Sequence, residues 1–318
     1  MTGVELDSNN FHKRARILTS AFKVPTHKAN NKNARKSDFN SADFLLVPVG
    51  SADEDENPYS KGTSLQIWLL GYEFPDTVMA VTENGFVFMT SAKKGSILES
   101  LVDAKGVPIQ IIKRSKDAEE NAKLYPEFFS LLSKSFDGKK MGVLAKENPS
   151  GKFITEFNSK KSSLGKEFEN VDITSGIASV LVVKDEEEIK IVKHSAKLSS
   201  VLLNDIFVEE MQNVIDSGTA ISHEKMSSML ENKLLSEKER AKLKLPADLV
   251  LDLTDWSYTP IIQSGGKYDL KPSAISNGDK LHAGTILCSL GGRYKSYCTN
   301  ISRTYLVDPE KVCYVIYF

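Results

Sequence analysis

The residues with the type and spacing for chemistry lie near the end of this chain. They form the run Cys288-Ser289-Leu290-Gly291-Gly292-Arg293-Tyr294-Lys295-Ser296-Tyr297-Cys298-Thr299-Asn300-Ile301-Ser302-Arg303-Thr304-Tyr305. Thr285 to Cys288 favours a strand, Gly291-Gly292 is turn chemistry, and a run rich in Tyr, Ile and Thr follows. The pattern predicts a hairpin whose arms lie side by side, with Ser289 on one arm and Asn300 on the other. Both side chains carry oxygens and neither carries charge.

Other reaction chemistries find no footing. Gly-x-Ser-x-Gly and His-Glu-x-x-His are both missing, and His223-Glu224 lacks the second histidine. Gly265-Gly266 is followed by neither Lys-Ser nor Lys-Thr, which excludes a phosphate-binding loop. Cys288, Cys298 and Cys313 are an odd number with no Cys-x-x-Cys, which argues against a disulfide framework or a zinc site. His194 falls inside a helical pattern without a partner at ligand spacing and reads as structural. The 41 basic and 42 acidic residues leave a net charge of −1, so whole-chain attraction to nucleic acid is not implied. No apolar run approaches the ~20 residues that span a bilayer, and the first residues lack the apolar core of a signal peptide. The compartment is cytosol or nucleus.

The elements that must position these residues are legible in order. Phe11 to Phe22 reads as an amphipathic helix, followed by a basic surface insertion at 27–40. Phe44 to Val49 has strand character, the acidic loop Asp53 to Glu56 follows, and Ser60 to Gly71 is helical with glycine at its stop. Thr77–Val81 and Phe86–Thr90 flank Glu83-Asn84-Gly85, a hairpin signal because Asn-Gly tolerates positive φ. Val107–Ile112 is a further strand, Ala118–Leu132 a helix that Pro126 threatens to break, and Met141–Ala145 a short strand. This alternation predicts a three-layer α/β domain.

The strongest helix in the chain opens at Asp185. It has Glu188 at the capping-box position, apolar residues at three- and four-residue steps, and a stop near Gly218, a length of roughly 30 residues. Ser222 caps a second helix, Glu237 to Lys244 continues it, and Leu249–Leu253 reads as a strand. Ile261 to Gly266 reads as a strand entering a glycine turn.

On Ile262-Gln263-Ser264-Gly265, Ser289-Leu290-Gly291-Gly292, Tyr294-Lys295-Ser296-Tyr297 and Asn300-Ile301-Ser302-Arg303-Thr304-Tyr305, the chain resembles the creatinase and aminopeptidase fold, often called pita-bread. In those enzymes two aspartates of the strand pair bind divalent metals that activate water for peptide hydrolysis. Here Ser289 and Asn300 hold those positions at the family spacing. Hard cations require anionic oxygens, and at an effective dielectric near 20 each lost unit charge a few Å away removes roughly 4 kcal/mol of attraction. Neither a metal nor another cofactor is therefore expected. The family's cleft histidine aligns with Pro272.

A second resemblance narrows the first. Glu56-Asn57-Pro58-Tyr59, Trp68 through Pro75, Asp255 through Gly265 and Ser296 through Thr304 look like the N-terminal region of the large subunit of FACT histone chaperones. That family carries a peptidase-like fold without peptidase activity. The resemblance implies an α/β architecture: an N-terminal three-layer domain at 1–175 and an incomplete pita-bread α+β domain at 176–318. It also implies a nuclear, chromosomal location, core histones and chromatin and replication factors as partners, and an HMG-box-type or pleckstrin-like partner subunit contacted through other regions. A membrane is not implied. Gln263, Ser264, Lys267, Arg293, Tyr294 and Asn300 become candidates for a retained peptide- or histone-binding cleft. Asp53–Glu56 and Glu186–Glu188 become candidate contacts for basic histones. The alternative is an active metal-dependent aminopeptidase or proline peptidase, against which Ser289 and Asn300 stand. The ending Lys311 to Phe318 departs from the family pattern. Val312-Cys313 can be encoded by GTATGT, an intron-like start, so a truncated or mis-spliced reading frame is expected. With it comes poor solubility of the isolated chain.

Overall fold

The protein is described by a computed structural model that defines residues 4–23, 38–52, 59–164 and 167–307. The acidic loop Asp53–Glu56, most of the basic insertion and the ending Lys311–Phe318 lie outside the described residues. The chain divides into two compact units, Met1–Val183 and Lys184–Phe318. The boundary lies eight residues beyond the 175/176 division read from sequence. Ile177 and Val180, past that division, are buried in the core of the first unit.

The first unit runs α1 (Ser8–Phe22), β1 (Phe44–Val49), α2 (Lys61–Leu70), β2 (Thr77–Thr82), β3 (Gly85–Ser91), α3 (Ala92–Leu98), β4 (Ile109–Arg114), α4 (Ala118–Leu132), β5 (Lys140–Val143), α5 (Lys152–Ser163), β6 (Glu169–Asp172) and α6 (Thr174–Val182). Its sheet has the order β4-β3-β2-β1-β5-β6. Only β2 runs antiparallel to its neighbours. Successive residues of β1 alternate between two cores. Leu45 and Val47 join Phe11, Leu18 and Trp68 on one face, while Phe44 and Leu46 join Phe128 and Phe157 on the other. A strand covered on both faces is a continuous apolar run, which is why Phe44–Val49 shows no polar alternation. The structure thus has the three layers expected.

One local expectation changes, and the hairpin read from Glu83-Asn84-Gly85 forms. α4 continues through Pro126 without a break. In the β2–β3 hairpin Thr82 pairs with Gly85, so Glu83 and Asn84 form the turn, and the positive φ (128°) belongs to Gly85. A Cβ there would stand 2.2 Å from the Pro108 carbonyl oxygen. Glycine is needed for that close approach of the neighbouring strand, not for a left-handed Asn84.

The second unit opens with α7 (Glu186–Val201). Asp185 and Glu188 form its capping box. A π-helical stretch, Leu202–Phe207, joins it to α8 (Val208–Asp216), so the long helix carries a local widening. α9 (His223–Leu235) is capped by Ser222 and followed by the short α10 (Glu237–Arg240). Leu251–Leu253 forms a 3₁₀ turn where a strand was expected, and β7 begins one residue later, at Thr254–Ser264. β8 (Gly284–Tyr294), β9 (Tyr297–Cys298) and β10 (Ile301–Val307) complete a sheet of order β10-β8-β7, with β9 paired to β8. Leu198, Phe207 and Met226 from the helices bury Ile262, Ile286, Cys288 and Leu290 on one face of this sheet. No helix among the described residues is long and apolar enough to cross a membrane.

The glycine pair of the opening run is not the turn. Gly291 and Gly292 lie inside β8, and the chain reverses at Lys295 and Ser296, both at positive φ (46° and 68°). Each glycine answers a close approach. A Cβ on Gly291 would stand 2.3 Å from the Thr299 carbonyl oxygen, and one on Gly292 would stand 2.7 Å from the Leu198 side chain. Gly292 is also where α7 is tied to the sheet. Ser199 Oγ accepts from the Gly292 N–H at 2.8 Å, and Ser195 Oγ donates to its carbonyl at 2.8 Å.

Candidate functional site

The sheet face away from the helices carries the candidate site. β7, β8 and β10 supply its floor, and the loop 269–276 forms one wall. Together they enclose a groove of about 840 Å³ whose lining includes Tyr258, Gln263, Ser289, Asn300 and Ser302. Strand pairing brings Ser289 opposite Ser302. Irregular register on either side of Tyr258, between Trp256 and Ile261, carries the tyrosine to Gly291 and places its hydroxyl over both Ser289 and Asn300.

These side chains satisfy one another. Ser302 Oγ donates to Ser289 Oγ at 2.7 Å. Ser289 and the Tyr258 hydroxyl are 2.8 Å apart, and the Tyr258 hydroxyl donates to Asn300 Oδ1 at 2.6 Å. Because the tyrosine proton is spent on Asn300, the Ser289 hydroxyl is the donor to tyrosine. The result is a directional chain Ser302→Ser289→Tyr258→Asn300, in which each hydroxyl polarises the next. Burial raises the Tyr258 ionisation above that of a free phenol, against the opposing pull of the Ser289 hydrogen bond. Tyrosine therefore keeps the proton that the chain requires.

A dinuclear metal centre does not fit this donor set. The resemblance to pita-bread enzymes implies metal-ligand positions at Ser289 and Asn300, but the oxygens here are neutral and already committed to Tyr258. Among the described residues no group of three His, Cys, Asp or Glu side chains could hold an ion. Cys288 is buried beneath the floor, and burial pushes its thiol far above the usual range, so it offers no thiolate.

The structure separates the predicted cleft residues. Asn300 and Gln263 line the groove, although the Gln263 amide is used to hold the wall. Its Nε2 donates to the Asp269 carbonyl at 2.8 Å, and its Oε1 accepts from the Asp269 N–H at 2.7 Å. Lys267 lines a smaller neighbouring cleft of about 290 Å³ with His223 and Asn277. Ser264 is buried, lies 2.7 Å from His223 Nε2 and accepts from the His282 N–H at 2.9 Å. Arg293 is paired with Asp255. Tyr294 is buried, and its hydroxyl accepts from the Val250 N–H at 3.2 Å. Ser264, Arg293 and Tyr294 are therefore bound up within the fold, because the pleat turns them from the groove or a neighbour takes their polar atoms.

His194, read as a structural or exposed histidine without a partner at ligand spacing, lies 3.1 Å from Asp248 and packs edge-on against Tyr294. Of the acidic contacts, Glu188 is buried and its Oε1 accepts from the Tyr297 hydroxyl at 2.8 Å. Glu186 and Glu187 are exposed in the first turn of α7. Sequence reasoning missed Tyr258 and Ser302. The alternation of β10 could have found Ser302, two residues beyond Asn300. No local pattern announces the irregular register that aims Tyr258.

Comparison with known proteins agrees with this architecture. The family model described as FACT complex subunit SPT16 N-terminal lobe domain matches residues 6–176, and that of metallopeptidase family M24 matches residues 190–316. FACT complex subunit SPT16 of Mycosarcoma maydis is 38% identical over 315 residues, which is 96% of this chain and 30% of that protein. The Gibberella zeae subunit is 36% identical over 98% of this chain and 30% of its own length. This chain thus spans about 30% of the length of these relatives. The solved N-terminal domain of FACT complex subunit SPT16 from Eremothecium gossypii superimposes with a TM-score of 0.84 at 34% identity, covering 97% of this chain and 70% of that one. X-Pro aminopeptidase from Thermotoga maritima, at 17% identity and a TM-score of 0.56 over 85% of this chain and 64% of its own, shares the fold alone. An N-terminal lobe joined to a peptidase-like sheet, matched along nearly the whole chain, places it among its kin: the chain belongs to the family of FACT complex SPT16 subunits.

Proposed function

We propose that this chain is a non-catalytic binding region of a FACT-type histone chaperone that reorganises nucleosomes during transcription, replication and repair. Its partners on this reading are core histones, chromatin and replication factors, and, through other regions of the protein, an HMG-box-type or pleckstrin-like subunit. Its place is the nucleus and chromosome. The observation that carries the loss of catalysis is the closed chain Ser302→Ser289→Tyr258→Asn300. A metallopeptidase needs anionic oxygens at positions 289 and 300 to hold its ions and activate water. Here neutral groups are bonded to one another, while the groove above them stays open. An open groove over neutral, mutually bonded donors supports binding in place of metal-assisted cleavage.

Two measurements test this reading with the full-length protein. Incubation with Xaa-Pro peptides and manganese or cobalt is expected to give no turnover. Hydrolysis abolished by a chelator overturns the non-catalytic assignment. A histone pull-down with and without residues 1–318 is expected to lose material when the region is removed. Equal recovery reduces the region to a spacer between other domains.

A further inference from the structure

We infer that Asn277-Gly278 is a self-modification site, at which the fold promotes loss of the Asn277 side-chain amide as ammonia and its replacement by a carboxylate. The reaction is intramolecular. The Gly278 backbone nitrogen attacks Asn277 Cγ, and the new N–C bond forms as the Cγ–Nδ2 bond breaks. The proton shed by the Gly278 nitrogen leaves on Nδ2 as part of the ammonia. Water then opens the cyclic imide and gives aspartate or its β-linked isomer at position 277.

An Asn-Gly pair is prone to this closure because glycine has no side chain to hinder the approach of its own nitrogen. Asn84-Gly85 and Asn277-Gly278 are the two such pairs in the chain, and the fold treats them oppositely. Gly85 opens β3, is buried and pairs with Thr82. A Cβ there would stand 2.2 Å from the Pro108 carbonyl oxygen, so the Gly85 backbone is hemmed in by the neighbouring chain. Asn277 and Gly278 are both exposed and lie outside any helix or strand, and a Cβ on Gly278 would meet nothing within 4 Å. Among the described residues no group accepts from the Gly278 N–H, so the nucleophile is uncommitted.

The Asn277 amide also meets the groups its closure needs. Negative charge develops on Oδ1 as Cγ becomes tetrahedral. Two donors already point at that oxygen, His223 Nδ1–H at 2.8 Å and the Asp279 N–H at 3.1 Å. Donors fixed in advance stabilise a developing oxyanion more than the neutral carbonyl. The bond from Asp279 also makes an Asx turn, which folds the side chain back along its own backbone. The leaving nitrogen Nδ2 donates to Asp279 Oδ2 at 2.9 Å. That carboxylate is placed to take the Gly278 proton and pass it to Nδ2. The arrangement belongs to the fold, since His223 is 54 residues away in sequence. It is held by the His223 and Glu224 N–H groups, which donate to the Asp279 and Asn277 carbonyls, each at 2.9 Å.

The product alters the cleft of about 290 Å³ that His223 and Asn277 line with Lys267. A carboxylate replaces a neutral amide against the His223 imidazole. In the β-linked isomer a methylene also enters the backbone between the two carbonyls that hold the start of α9.

Incubation of the full-length protein at neutral pH, followed by digestion and mass spectrometry of both Asn-Gly peptides, tests this. The product at 277 is expected to accumulate at least about tenfold faster than the product at 84. In urea the rate at 277 is expected to fall and the two rates to converge, because neither pair then has a fold around it. Asp279→Asn keeps the backbone donor and removes the carboxylate. It is expected to slow the reaction at 277 by about tenfold and to leave 84 unchanged. Equal rates in the folded protein overturn the inference, as does a rate at 277 that rises on unfolding. An unchanged rate in Asp279→Asn overturns the part assigned to the carboxylate.

Discussion

The Tyr258 hydroxyl donates to Asn300 Oδ1 at 2.6 Å, across 42 residues of sequence. The contact occupies Asn300, which the resemblance aligns with a metal ligand of the pita-bread enzymes, and joins it to a neutral hydrogen-bond chain. Its consequences are measurable in the absence of any ligand.

Tyr258→Phe removes the central hydroxyl and leaves Ser289 and Asn300 to each other at 3.4 Å. The expected cost is about 1–2 kcal/mol in urea denaturation at neutral pH. The pH dependence has a definite sign. Burial raises the Tyr258 ionisation in the folded state above that of the unfolded chain. The stability it contributes is complete below about pH 10 and is lost as pH rises through the folded value. The native protein should therefore lose more stability above that pH than Tyr258→Phe does. Parallel alkaline curves would show that Tyr258 is not held protonated by the fold.

Restoring the two carboxylates should reveal the old site. Ser289→Asp combined with Asn300→Asp places two like charges beside the Tyr258 hydroxyl, so the variant should melt several degrees lower in metal-free buffer. Millimolar manganese should recover part of that loss in the variant and leave the unaltered protein unmoved, as measured by thermal shift. A manganese-dependent rise in the unaltered protein would contradict the assignment of positions 289 and 300 as non-ligating.

The two glycines of β8 should respond differently to alanine. A Cβ on Gly291 meets the backbone carbonyl oxygen of Thr299, whereas a Cβ on Gly292 meets the side chain of Leu198. Backbone gives way less readily than a leucine side chain. Gly291→Ala is therefore expected to cost more than Gly292→Ala, each by about 1–3 kcal/mol of unfolding free energy. The reverse order would mean that α7, and not the β9–β10 connection, is the tighter neighbour.

His223 is a pin between three segments. It is buried at the start of α9, with Nε2 2.7 Å from Ser264 Oγ and Nδ1 2.8 Å from Asn277 Oδ1. The acceptor at Asn277 sets Nδ1 as the protonated nitrogen and leaves Nε2 to accept from Ser264. His223→Ala strands a buried hydroxyl and releases the 277–282 segment, at an expected cost of about 2–3 kcal/mol. Asn277→Ala, at an exposed residue, should cost less. Hydrogen exchange should quicken from Asn277 to His282 in the first variant. Unchanged exchange there would remove the pin from the account.

Much of the fold was legible because its signals are local. Asp185 and Glu188 announce a helix start through two reciprocal hydrogen bonds, and both form. Ser60 and Gly71 mark the ends of α2 by the same logic of unpaired backbone groups. Phe44–Val49 reads as a strand because it is buried on both faces. The misreadings share a cause. Asn84-Gly85 closes the β2–β3 hairpin as expected, whereas Gly291-Gly292 suggests a turn and lies inside β8, because glycine is also what a close neighbour demands, and the neighbour is distant in sequence. Leu249–Leu253 has strand composition yet forms a turn, since strand propensity reflects the surface a segment finds to pair with.

The candidate site divides along the same line. The sequence by itself determined that positions 289 and 300 carry no charge, from which weak attraction for hard cations is expected. It determined the family as well, through motifs spread along the chain. Only the tertiary structure decided which cleft residues remain open. Ser264, Arg293 and Tyr294 are committed to His223, Asp255 and Val250, and Tyr258 reaches Ser289 and Asn300 through irregular strand register. The physical reason is that charge belongs to a residue wherever it lies. The aim of a side chain depends on strand register and on neighbours tens of residues away.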